Sequence, residues 1–118
     1  YRADGLIFAT PTGSTAYSLS AGGPIVDPGI DTILMTPICP HSLHARSVLL
    51  SPQVKLEVCG RYADNLDRLV VSVDGERVHT LECGRKVRIQ RAEQAAQFIQ
   101  FPEKTFNGIL NVKLKSWA

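Results

Sequence analysis

The residues best able to do chemistry in this chain sit in one short stretch, Thr10-Pro-Thr-Gly-Ser-Thr-Ala-Tyr17, which runs on through Ser18-Leu19-Ser20-Ala21 to Gly22-Gly23-Pro24. Hydroxyls of Thr12, Ser14 and Thr15 crowd around Gly13, and each can donate or accept a hydrogen bond. An apolar run, Leu6-Ile7-Phe8-Ala9, leads into them. A strand that stops at a polar turn and restarts as a helix presents unpaired backbone N–H groups and the positive end of a dipole, an arrangement suited to a polar, anionic ligand. The residues alone fit a blander account equally well: Ser14 caps the helix, Tyr17 packs in the core and the glycines serve the turn. Acyl chemistry at Ser14 is disfavoured, because neither a Gly-x-Ser-x-Gly elbow nor a Ser-x-x-Lys pair is present.

Four further groups carry functional chemistry on paper. Arg2 and Asp4 precede the first strand, and a carboxylate suits ribose hydroxyls or an amide while an arginine suits phosphate. Cys39-x-His41-x-x-His44 has the look of a metal clip, but Pro37 and Pro40 stiffen the loop and no acidic neighbour completes a site, so a packing or contact loop is the better reading and no metal ligand is assigned. Asp74-Gly75-Glu76 reads as a turn. Arg85, Lys86, Arg88 and Arg91 make a basic strand edge, without the exposed aromatic residues that a single-strand nucleic-acid platform needs. No Gly-x-x-x-x-Gly-Lys or Gly-x-Gly-x-x-Gly phosphate loop is present.

The elements that must hold these residues are mostly strands. Expected strands run over 6–9, 32–36, 47–50, 54–58, 69–73, 77–81, 86–91 and 97–101. Alternation of Val54, Leu56 and Val58 with Lys55 and Glu57 has the period of two that marks a half-buried strand. Asp74-Gly75 between two apolar runs predicts a hairpin. A helix is expected over 14–21, capped by Gly22 or Gly23 and stopped by Pro24, and Pro28-Gly29 marks a turn. The tail 106–117 fits a helix or a strand; we favour a helix that docks elsewhere in a parent protein. The fold class expected is mainly β, an antiparallel sandwich-like stack of short strands with one or two short helices, in a single domain over 1–118.

The chain has 118 residues, 44% of them hydrophobic and 20% charged, which fits a globular domain and argues against disorder. The formal net charge of +2 is too mild to indicate a nucleic-acid partner. The longest apolar runs fall far short of a membrane span. Cys39, Cys59 and Cys83 are far apart in sequence and read as free thiols in a reducing compartment. The chain opens at Tyr1 with no Met and no signal peptide, as a segment of a longer protein does.

The run Asp4-Gly-Leu6 followed by Thr10-Pro-Thr-Gly-Ser-Thr-Ala-Tyr-Ser-Leu-Ser-Ala-Gly-Gly-Pro24 resembles the NAD kinase family, in the domain that holds NAD, and looser likeness continues through Pro37–Arg46 and Val73–Glu76. The resemblance implies a C-terminal NAD-binding domain of an enzyme that phosphorylates the 2′-hydroxyl of the NAD adenosine ribose, with ATP or polyphosphate as donor, to give NADP. It implies that Thr15, Ala16, Tyr17 and Ser20 line the NAD site, with Thr12, Ser18 and Leu19 beside them. Asp4 then contacts NAD, in some family members from the neighbouring subunit, with Arg2 nearby; Cys39 approaches through its backbone, and Glu76 occupies a position that is often Gln. An acid there departs from the family pattern and would repel the pyrophosphate. The catalytic aspartate of a Gly-Gly-Asp-Gly-Thr loop belongs to an N-terminal α/β domain not contained in this chain. No catalytic base is therefore assigned here, and the segment alone is expected to be inactive. A divalent cation with ATP, cytoplasmic location and a homodimer or homotetramer are implied, with no nucleic acid and no membrane. The alternatives are a lipid-kinase-like domain of the diacylglycerol or sphingosine type, which would not need the Thr-Ala-Tyr pocket, and a non-catalytic β-domain for oligomerisation.

Overall fold

A computed structural model of the chain describes residues 1–61, 68–82 and 84–117. It contains two compact units, one made of Tyr1–Pro52 with Ala92–Ala118 and the other of Gln53–Arg91.

The first unit is built on an antiparallel sheet of β1 (Gly5–Ala9), β2 (Ile33–Ile38) and β3 (Val48–Leu50), in the order β1-β2-β3. Gly5 pairs with Ile38 and Ala9 with Leu34. The expected strand ended at residue 36, before Pro37, yet β2 continues through Pro37 to Ile38. The strand tolerates it because β3 pairs β2 only at Ile33, Leu34 and Met35, so Pro37 meets β1 alone. Leu34 and Thr36 share one face of β2 and are both fully buried, with Val26 beside them in the core. The Thr32 hydroxyl donates to the Leu50 carbonyl at 2.7 Å and ties the start of β2 to the end of β3.

Between β1 and β2 the chain makes a 3₁₀ turn over Thr12–Thr15 and then α1 (Tyr17–Ser20). The single helix expected over 14–21 is thus two one-turn pieces, broken where Ala16 adopts φ −98°, ψ −129°. Helix nucleation is unfavourable and so short a segment has few internal bonds to offset it, which makes tertiary contacts decide its shape. The C-terminal end does follow the sequence. Gly22 at φ +84° donates to Leu19 O at 3.0 Å and Gly23 to Ser18 O at 2.8 Å, the paired bonds of a Schellman cap. The Pro28-Gly29 turn is closed by Asp27, whose carboxylate accepts from Gly29 N at 2.7 Å.

Residues 97–101 do not form the expected strand. No described strand pairs with them, and Phe98, Ile99 and Phe101 are exposed. An apolar run with no neighbour to satisfy its backbone has nothing to hold it in a sheet. The tail forms α2 (Phe106–Trp117). Phe106, Leu110 and Leu114 fall at i, i+4 and i+8, on one face. Phe106 and Leu110 are half-buried, whereas Val112 is 70% exposed.

The second unit holds two antiparallel pairs, β4 (Leu56–Cys59) with β7 (Lys86–Ile89) and β5 (Arg68–Val73) with β6 (Glu76–Glu82). The β5–β6 hairpin turns at Asp74 (φ 49°) and Gly75 (φ 86°), the two successive positive angles of a type I′ turn. A bulge at Val71/Ser72 shifts its register. Among the described residues the regular elements of the second unit are all strands, so antiparallel sheets dominate and the mainly β class expected from the sequence holds.

Candidate functional site

The hydroxyl-rich bend separates its side chains into two sets. Ser14 and Ser18 point inward. The Ser14 Oγ accepts from Val26 N at 3.0 Å and faces Val26 O at 3.4 Å, so it anchors the turn to the following loop and caps nothing. This engagement, with the side chain fully buried, also removes it as a nucleophile. Ser18 Oγ and Thr36 Oγ1 lie 2.8 Å apart in the core. Gly23 packs against the same pair: a Cβ there would stand 2.8 Å from both Ser18 O and Thr36 Oγ1, closer than any real side chain approaches. Sequence reasoning passed over Thr36, Val26 and the packing role of Gly23. The available signal was Thr36 itself, a hydroxyl on the same strand face as Leu34, where burial demands a partner.

The other set faces out. Thr12, Ala16, Tyr17 and Ser20 are exposed, and Tyr17 at 63% is not the core residue that the blander account allowed. Beside them lies an open hollow of about 550 Å³ lined by Thr15, Ala16, Leu19, Ser20 and, from α2, Leu114. The small Ala16 side chain leaves the backbone approachable. Leu19 and Leu114 supply apolar surface, and Thr15 and Ser20 supply hydroxyls at the edge. The Thr15 hydroxyl is only loosely engaged, 3.5 Å from Thr12 O. Two one-turn helical pieces cannot generate the macrodipole expected from one longer helix, so the bend offers local N–H groups and hydroxyls.

Arg2, Asp4 and Cys39 gather elsewhere. Three bonds stitch the N-terminal segment to the end of β2 and the loop after it: Asp4 N to Ile38 O at 2.9 Å, His41 N to Arg2 O at 2.8 Å, and the Tyr1 hydroxyl to Arg46 O at 3.1 Å. His41 Nε2 lies 3.7 Å from Asp4 Oδ1, with both side chains largely exposed. Cys39 is an exposed free thiol held at φ +43°, a left-handed angle that non-glycine residues rarely adopt. This cluster adjoins the start of β1 and the bend follows its end. At about 3.3 Å per residue, the six steps from Asp4 to Thr10 span roughly 20 Å. The structure thus divides the sequence-derived site residues between the two ends of β1. Glu76 opens β6 in the second unit and is exposed.

The basic edge of the second unit is neutralised in part by its own sheet. Glu57 accepts from Lys86 Nζ at 2.7 Å and lies 3.7 Å from Arg88 Nη2. The bond from Lys86 holds the Glu57 carboxyl below its ordinary value and raises the Lys86 ammonium above its own. Among the described residues no three His, Cys, Asp or Glu side chains cluster as metal ligands, and no helix is long and apolar enough to cross a membrane.

Residues 1–101 match the family model described as the ATP-NAD kinase C-terminal domain. The chain belongs to this family. Among curated relatives, it is 44% identical over 117 residues to an NAD kinase of Desulforamulus reducens and 47% identical over 114 residues to one of Symbiobacterium thermophilum, covering 99% and 97% of this chain. It spans 40% of the length of each of those relatives. Among solved structures, it is similar to a yeast NADH kinase complexed with NADH (TM-score 0.71, 40% identity, 82% of this chain and 28% of that one). It is also similar to an NAD kinase from Archaeoglobus fulgidus in complex with ATP (TM-score 0.76, 29% identity, 94% of this chain and 41% of that one). The NAD kinase family match ends at residue 101, before α2 begins.

Proposed function

We propose that residues 1–118 act as one functional domain, the NAD-holding part of an NAD kinase that transfers the terminal phosphate of ATP or polyphosphate to the 2′-hydroxyl of the NAD adenosine ribose. The observation that carries this reading is the outward-facing rim of the bend, Thr12, Ala16, Tyr17 and Ser20, standing beside an open hollow in a chain of this family.

In this reading Thr15 and Ser20 meet sugar or phosphate oxygens, Ala16 lets the ligand approach the backbone, and Tyr17 offers an exposed ring. Thr12 and Leu19 flank them, and Ser18 contributes through its main chain because its hydroxyl is engaged with Thr36. The Arg2, Asp4 and Cys39 cluster serves the dinucleotide of a neighbouring subunit in a homo-oligomer. The roughly 20 Å between the two ends of β1 supports that division. Glu76 faces the sugar or the nicotinamide side, since a carboxylate beside pyrophosphate is repulsive.

The contribution of this chain is positioning. Phosphoryl transfer depends mainly on orientation and electrostatic stabilisation, and the base and the donor site belong to a preceding domain. A divalent cation accompanies ATP and offsets phosphate charge there. In this reading the cation is held with ATP by the preceding domain. The enzyme works in the cytoplasm and supplies NADP.

The test is formation of NADP from NAD and ATP by the full-length protein, which fails altogether if the reading is wrong. Ala16→Leu, which fills the hollow, is expected to raise KM for NAD about tenfold or more while leaving KM for ATP unchanged.

A further inference from the structure

The hollow beside the bend is completed by a residue beyond the span of the family model, in a stretch that the curated relatives still match. Four of its five lining residues come from the bend, and the fifth, Leu114, comes from α2. Leu114 is the last member of the Phe106, Leu110, Leu114 stripe. The first two are half-buried, and the third lines the hollow. Leu114 itself remains 38% exposed while Val112, two residues back, is 70% exposed. A partly uncovered leucine thus shares the lining of the hollow with Leu19, another apolar side chain, and with the hydroxyl residues Thr15 and Ser20. A planar heteroaromatic ring attached to a sugar fits that pattern of apolar wall and polar edge.

We propose that Leu114 is a binding residue for the dinucleotide: its side chain packs on one of the two rings, opposite Leu19, while Thr15 and Ser20 engage the attached ribose. This inference rests on the reading of the bend as the NAD site. It makes α2 part of that site, so that the fit of the ligand depends on where the C-terminal helix is seated.

The experiment uses the full-length protein and three variants, Leu114→Ala, Leu114→Met and, as a control on an exposed face of the helix, Val112→Ala. Each is assayed for KM of NAD, KM of ATP, kcat and urea midpoint. Truncating Leu114 removes a few methylenes of contact, so KM for NAD is expected to rise about five- to tenfold, with KM for ATP and kcat within twofold. Leu114→Met restores most of the loss, and Val112→Ala matches wild type. Competition by adenosine monophosphate and by nicotinamide mononucleotide identifies the ring: the mononucleotide whose inhibition weakens in Leu114→Ala is the one that Leu114 contacts. If Leu114→Ala binds NAD as wild type does, or loses kcat and stability together with no separate change in KM for NAD, Leu114 is merely a helix-packing residue and the inference falls. If wild type neither binds nor phosphorylates NAD, the reading of the bend fails and takes the inference with it.

Discussion

Removing the Thr36 hydroxyl tests how the bend is held. Thr36→Val exchanges a hydroxyl for a methyl of similar shape in a position that is 1% exposed. Ser18 Oγ then loses the partner that stands 2.8 Å away, in a core where water does not replace it. Leaving a buried hydroxyl unsatisfied costs about 1–3 kcal/mol, and Ser18→Ala strands Thr36 Oγ1 at a comparable cost. The double variant strands neither, so it forfeits only the net value of one hydrogen bond, about 0.5–1.5 kcal/mol. A double-mutant cycle by urea unfolding at constant slope is therefore expected to show coupling of at least about 1 kcal/mol in the direction of rescue. The second readout is ligand affinity of the full-length protein. Ser18→Ala and the double variant retain NAD affinity to within the loss explained by stability, because the hydroxyl faces the core. Strict additivity of the two substitutions, within about 0.5 kcal/mol, refutes the hydrogen bond as an anchor. A specific loss of NAD affinity in Ser18→Ala places the hydroxyl in the site instead.

Gly23→Ala drives a methyl to 2.8 Å from a backbone carbonyl and from Thr36 Oγ1, so it is expected to destabilise by about 2–4 kcal/mol through overpacking and a broken cap. Gly22→Ala, which meets no atom within 4 Å but keeps φ +84°, costs only about 1–2 kcal/mol; thermal or urea unfolding ranks the two, and the reverse order refutes the packing role. For Glu57, a folded-state pKa held below the ordinary 4.5 means stability that is present above that value and lost as pH falls through the lowered one. Wild type is thus expected to exceed Glu57→Gln in stability at neutral pH, with the gap closing in acid and shrinking in high salt because the pair is solvent-exposed. A gap independent of pH and salt excludes the Lys86 pairing as its source.

Local backbone requirements are what the residues displayed most openly. Asp74-Gly75 announced a turn with two positive angles, and both are found. The Gly22-Gly23 pair announced a cap, and Gly22 is the left-handed residue; the tail was open between helix and strand, and it forms the favoured helix, α2. The break at Ala16 was hidden because nothing in Ser-Thr-Ala-Tyr forbids continuous helix. It arises from two long-range anchors, Ser14 to Val26 and Ser18 to Thr36, at sequence separations of 12 and 18. The strand expected over 97–101 failed for the complementary reason. Its composition was right, but strand formation depends on a neighbour, and composition does not reveal one.

The same division explains how an unstable piece of backbone can serve as a rigid binding edge. A one-turn helix is not stable by itself, and an exposed loop of hydroxyls would lose entropy on every binding event. Here alternate hydroxyls are used as fasteners. Ser14 and Ser18 sit four apart, on one side of the bend, and their buried bonds fix its geometry; Gly23 closes the gap behind them. The intervening Ala16 and Tyr17, and Ser20 just beyond, are thereby held outward and exposed. In the proposed site, binding then requires little ordering of the bend itself, and the one lining residue from outside the bend is Leu114 of α2. Substitutions at the buried serines should therefore act on ligand affinity through the stability of the bend, and substitutions at the outward set should act on affinity at constant stability.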